Sequence, residues 1–122
     1  MGSLGWVMGA GALGTGLRVI VAESVQARLE GGFPFGTLVV NVLGCLLIGA
    51  LGAALEGSEA VSESTRRAVL LGLLGGFTTF SSFARDGLSL LEAGRLGEAV
   101  LYVMLSNGLG LLAVFCGARI TG

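Results

Sequence analysis

The chain has 122 residues, of which 53% are hydrophobic and 12% charged, with a net charge of −1 and a mean hydropathy of +0.90. Eight acids and seven arginines cannot clothe a soluble domain of this length, whose charged share would be roughly 25%. The near-zero net charge gives no bulk field toward nucleic acid or an acidic partner, and the absence of histidine removes the commonest neutral-pH proton relay and metal ligand.

Four apolar runs follow in chain order: about 4–22, 36–55, 68–91 and 99–118. Each is close to the ~20 residues that cross a bilayer core. Polar joints at 23–35, 56–67 and 92–98 are too short for further domains, so one four-helix membrane domain over 1–122 is expected. The N-terminus has no basic leader, and its apolar run reads as a span rather than a cleavable signal. Gly5 and Gly9 form a GxxxG pair, and Gly49, Gly52 and Ala53 a small face, both suited to close helix packing in lipid. Gly9 to Gly14 also matches GxGxxG, but that fingerprint needs a preceding strand, and here it lies within a membrane run. Cys45 and Cys116 sit in apolar runs without CxxC spacing and read as small packing residues.

Four spans put both termini beside the middle joint. That side carries Arg66, Arg67 and Arg119; the other carries Arg28 and Arg95 in its joints, with Arg18 and Arg85 near helix ends. Three against four is almost no positive-inside bias, so insertion in both orientations and antiparallel pairing are expected.

Polar residues inside a membrane run face partners, cavities or pathways. The second run carries Thr37 and Asn41 at i and i+4, and the fourth carries Tyr102 and Ser106 at the same spacing, with Asn107 alongside. The third carries Thr78, Thr79, Ser81 and Ser82, while Arg18, Arg85 and Asp86 lie toward run ends. The Asn, Ser, Thr and Tyr side chains can all donate hydrogen bonds, and no acid sits at mid-run, which suits an anion pathway; the competing reading is helix glue. Gly75 and Gly76, followed by hydroxyl and β-branched residues, predict a break in the third helix. Phe77, Phe80 and Phe83 recur every third residue, either as packing or as partly positive ring edges for a dehydrated anion.

GAGALGTGLR (9–18), FPFGTLVVNVLGCLLIG (33–49) and GLLGGFTTFSSFARD (72–86) together resemble the Fluc/CrcB fluoride channels, over about residues 9–112. The resemblance implies an all-α, antiparallel dual-topology homodimer in the bacterial plasma (inner) membrane, exporting fluoride passively to limit its toxicity. It implies a fluoride pore set of Asn41, Thr37, Phe80, Phe83, Ser81, Tyr102 and Ser106, with Arg18 in the pore vestibule. It also implies a structural sodium ion at the dimer interface, held by the carbonyls of Gly75 and Thr78 from both subunits. Two positions depart from the family pattern. The polar track would continue at position 110, which is Gly110, and the second threonine at the start of the second helix is replaced by Leu38-Val39. Asn107 lies about 100° around the helix and is no obvious substitute. Two rival readings are a small proton-coupled exporter, disfavoured by the lack of Asp and Glu over residues 1–22, and a non-transporting assembly subunit. Without an embedded acid pair or a serine beside a base, an enzyme is not expected.

Overall fold

The structure, a computed structural model, describes residues 2–122. It is all-helical over those residues: α1 Leu4–Arg28, α2 Phe35–Leu55, α3 Glu63–Arg67, a π-helical stretch Ala68–Leu73, α4 Leu74–Phe77, α5 Phe80–Glu92 and α6 Leu96–Thr121. Four helical stretches are long and apolar enough to cross a membrane: α1, α2, the composite Glu63–Glu92 and α6. The predicted break therefore exists. Thr78 and Thr79 are extended, at φ −92°, ψ 159° and φ −150°, ψ 116°, between two helical pieces. The π-helical stretch one turn earlier was not expected; wide turns of this kind occur mostly as short insertions at functional sites.

The joints pair at two ends, as the four-span topology requires. Arg67 Nε donates to Ser3 Oγ at 2.8 Å, and Thr121 Oγ1 to the Ala50 carbonyl at 2.6 Å, gathering both termini beside the middle joint. Within that joint, Arg66 Nη2 donates to the Leu55 and Ser58 carbonyls at 3.0 and 3.3 Å, placing a cation on the carbonyl end of α2. At the opposite end, Arg95 Nη2 donates to the Gly31 carbonyl at 2.6 Å. Gly31 and Gly32, at φ +102° and +77°, make the left-handed turn there. Gln26 fixes the start of α2: its Nε2 donates to the Phe33 carbonyl and its Oε1 accepts from the Gly36 N–H, both at 2.9 Å. Pro34 needs no donor at a helix start, where the N–H would have no partner.

The buried core is small: Phe33, Leu38, Val40, Leu74, Phe77, Leu90, Ala99 and Tyr102. Most large apolar side chains face outward, as they do when the solvent is lipid. Association between helices then relies on close packing. Backbone contact supplies it along two seams. A Cβ placed on Gly72 would fall 2.5 Å from the Val7 carbonyl oxygen, and one on Gly76 would fall 2.5 Å from that of Gly11, so α1 lies directly on the third span. Gly49 likewise abuts the Val114 carbonyl, and Gly117 the Leu46 carbonyl, closing α2 on α6. The expected pair Gly5 and Gly9 takes no part, because both open on free space within the subunit; Gly11 and Gly14 form the α1 seam instead. The GxGxxG segment is continuous helix, as expected of a membrane run.

Gly49→Val should therefore cost more than the roughly 1–3 kcal/mol of ordinary overpacking, since backbone rather than a side chain must yield. Gly52→Ala, which meets nothing within 4 Å, should be neutral. Thermal unfolding in detergent compares the two; equal melting temperatures would refute the α2–α6 seam.

Candidate functional site

Breaking a helix inside a membrane frees peptide groups that water cannot reach, and each needs a partner. Asn41 supplies two. Its Nδ2 donates to the Thr79 carbonyl at 2.9 Å, and its Oδ1 accepts the Thr79 N–H at 2.7 Å. The side-chain amide thus pairs with the main chain of Thr79 as a neighbouring strand would. Thr79 in turn caps α5, its Oγ1 accepting from the Ser82 N–H at 3.2 Å. Thr78 turns its methyl onto Gly44 of α2. Arg18 Nε donates to the Gly76 carbonyl at 3.0 Å, replacing the helical donor removed by the break. Arg18 was expected in a pore vestibule. In the subunit it is tied to the break and borders neither of the two cavities at the break and at Asp86.

Around the break lies a cavity of 320 Å³. Its lining brings together Asn41, Phe80, Phe83 and Ser106 from the expected pore set, Gly75 and Thr78 from the expected cation set, and also Gly44, Cys45, Ile48, Leu74, Thr79 and Asn107. No carboxylate borders it. Ser106 Oγ is a buried side-chain oxygen without a hydrogen-bond partner among the described residues. A buried hydroxyl left unpaired costs free energy, so this atom marks where a ligand is wanted. Asn107 reaches the cavity despite its helix position, but its Nδ2 is turned back to the Val103 carbonyl at 2.8 Å.

Thr37 and Tyr102 do not line this cavity. Both donate to Asp86 Oδ2, Thr37 Oγ1 at 2.6 Å and Tyr102 Oη at 3.3 Å. Asp86, placed near a run end by sequence, is thus the polar hub one turn from Asn41, and the expectation of an acid-free track fails there. The signal lay in the sequence: a lone acid just past the break, within reach of the first polar residues of α2 and α6. A second cavity, of 330 Å³, opens beside this hub, lined by Thr37 and Asp86 with Glu23, Gln26 and the turn before α2. A chain of aromatic rings runs from the first cavity to Tyr102. Phe83 and Tyr102 lie 5.2 Å apart between centroids, Phe80 and Phe83 5.6 Å, and Phe33 meets Tyr102 edge-on at 5.6 Å. Ser81 is exposed on the subunit surface and borders neither cavity.

The break also leaves acceptors. Among the described residues no hydrogen bond reaches the carbonyl of Gly75 or of Thr78. Gly75 is exposed, with open space where a side chain would stand.

If Asn41 holds the break, Asn41→Ala leaves both Thr79 peptide groups unpaired at membrane depth, at about 1–3 kcal/mol each. Asn41→Asp keeps the acceptor for the N–H but sets an anion against the Thr79 carbonyl. Both variants should melt well below the parent in detergent; an unchanged melting temperature for Asn41→Ala would show that the clamp does not hold the break.

Residues 5–118 match the family model described as CrcB-like protein, Camphor Resistance (CrcB). The chain is 49% identical to a fluoride-specific ion channel FluC of Thermus thermophilus over 113 residues, covering 92% of this chain and 87% of that protein. It is 47% identical to the Sphingopyxis alaskensis protein of the same name, covering 97% and 92%. The Rhizobium meliloti protein of that name is 43% identical, with 88% and 86% covered. The four membrane-capable spans, the clamped break and these matches together assign the chain to the CrcB family of multi-pass membrane proteins.

Proposed function

We propose that this chain is a passive fluoride channel of the bacterial plasma membrane, exporting fluoride to limit its toxicity. One observation carries the reading: Ser106, whose buried hydroxyl has no partner among the described residues, lines a carboxylate-free cavity together with Asn41, Phe80 and Phe83. Relatives 43–49% identical over most of the chain are named fluoride-specific ion channels. A small, strongly hydrated anion sheds water only where fixed donors replace it. Ser106 has its hydroxyl proton free, Asn41 keeps one amide hydrogen beyond the clamp, and the phenyl edges carry partial positive charge. Thr37 and Tyr102 turn their protons to a passing anion only by releasing Asp86, and the 3.3 Å contact of Tyr102 is the weaker of the two. Chloride is larger and finds the same donors spaced for a smaller ion.

The working unit on this reading is an antiparallel homodimer set in membrane lipid. The three-to-four arginine balance supports it, as does Phe80, which is 79% exposed on the subunit and would meet the partner's pore there. Two copies related by an axis through the break would bring four free carbonyls together, from Gly75 and Thr78 of each. Such a set suits a hard monovalent cation such as sodium. When bound it supplies a fixed positive charge between the pores that favours anions.

Pure protein in liposomes tests the channel. Fluoride-loaded vesicles made permeable to potassium should empty rapidly, chloride-loaded ones should not, and no proton gradient should be required. Equal chloride flux, or dependence on a proton gradient, would point instead to an unselective pore or a coupled exporter. Preparation without sodium should lower the fluoride rate.

The dimer is tested separately. A tag after Gly122 should be reached from both faces of the membrane in cells, and added C-terminal arginines should bias orientation and lower flux. One-sided labelling of an active protein would refute antiparallel assembly.

A further inference from the structure

The polar residues of α2 and α6 form two facing rows. Thr37, Asn41 and Cys45 repeat at i+4 on α2, and Tyr102, Ser106 and Gly110 repeat at i+4 on α6. Each step rises about 6 Å. The rows meet level by level. Thr37 and Tyr102 share Asp86 Oδ2; Asn41 and Ser106 line one cavity; and a Cβ on Gly110 would stand 3.5 Å from Cys45 Sγ. At the third level α6 offers no side chain, so the space beside its backbone belongs to the thiol. Cys45 borders the same cavity as the unpartnered Ser106 hydroxyl, and none of the hydrogen bonds formed by described side chains uses its sulfur. One turn further on, Gly49 abuts the Val114 backbone and the two helices close. Cys45 is thus the last polar group before the seam.

We propose that Cys45 lines the anion path as its third donor station, its S–H standing in for the side chain that Gly110 lacks. This deepens the channel reading and rests on it. A thiol is a weak donor but a large, polarisable one. At the end of the rows it lets a partly dehydrated anion leave Ser106 without falling into a deep well. The free thiol also makes the path open to block by soft metals. Mercuric chloride converts S–H to S–HgCl with release of a proton and a chloride ion, which fills the cavity beside Gly110.

The test uses protein carrying Cys116→Ser, so that Cys45 is the sole cysteine, with fluoride efflux from liposomes as the rate and intact mass as the measure of mercury bound. One mercury per chain should stop efflux, and dithiothreitol should restore it. In Cys45→Ser the flux, whatever its absolute rate, should become insensitive to mercury. Cys45→Ala should slow efflux about tenfold, the change expected from one lost hydrogen-bond donor. Gly110→Ser in that background should restore the rate by returning a donor to the same level from the opposite helix. Full flux with mercury on Cys45, or a Cys45→Ala protein as fast as its parent, would overturn the proposal and leave the channel reading standing. A folded double variant that stays as slow as Cys45→Ala would also overturn it. A parent that carries no fluoride overturns both.

Discussion

The pairing of the Asn41 amide with the main chain of Thr79 is the contact on which the rest depends. An interrupted helix in a membrane is tolerable only if its freed peptide groups are satisfied. Asn41 satisfies the two that face α2, at 2.9 and 2.7 Å. A hydroxyl in its place could not both donate and accept with the geometry of a peptide, and an ionised carboxylate could not donate. With the break held open, Thr79 is free to cap α5, and α5 leaves at the angle that carries Phe80 and Phe83 to the cavity. Arg18 and the Gly44–Thr78 contact finish the arrangement by occupying the Gly76 carbonyl and the space under Thr78.

The same residue therefore has two duties. Asn41 borders the cavity, yet one of its amide hydrogens and its oxygen are committed to scaffold. Loss of transport in an Asn41 variant would by itself not separate donation to an anion from collapse of the break, whereas Ser106 carries no such commitment. The donors also differ in freedom along the rows. Those of Thr37 and Tyr102 are held by Asp86 at one end, whereas that of Ser106, in the middle, is unpartnered among the described residues. On the channel reading, an anion would exchange protein contacts for ion contacts at the Asp86 end.

Packing without a hydrophobic driving force shapes the remainder. In lipid, apolar side chains gain little by meeting one another, so helices come together where backbones can touch. The glycine seams at Gly72 and Gly76 on α1, and at Gly49 and Gly117 between α2 and α6, meet that need, while around the break side chains hold the helices apart. The π-helical stretch before α4 belongs to the same seam, since Gly72 lies in it.

Sequence alone determined the four spans, the near-even arginine balance, the position of the helix break and the donor-bearing residues at i and i+4. Each of these is a local property: apolar run length, charge counting, glycine and β-branched propensity, and helical periodicity. Family resemblance at the TLVVN and GGFTTFSSF segments carried the expectation of a fluoride channel, and the family itself is confirmed. What tertiary structure decided is which groups meet across helices. It joined Arg18 to the Gly76 carbonyl, moved the α1 seam from Gly5 and Gly9 to Gly11 and Gly14, made Asp86 the partner of Thr37 and Tyr102, and set Cys45 beside Gly110. These pairings join residues 16 to 65 positions apart. Their geometry follows from rotation and crossing of whole helices, which close backbone contact sets and no single helix's sequence encodes.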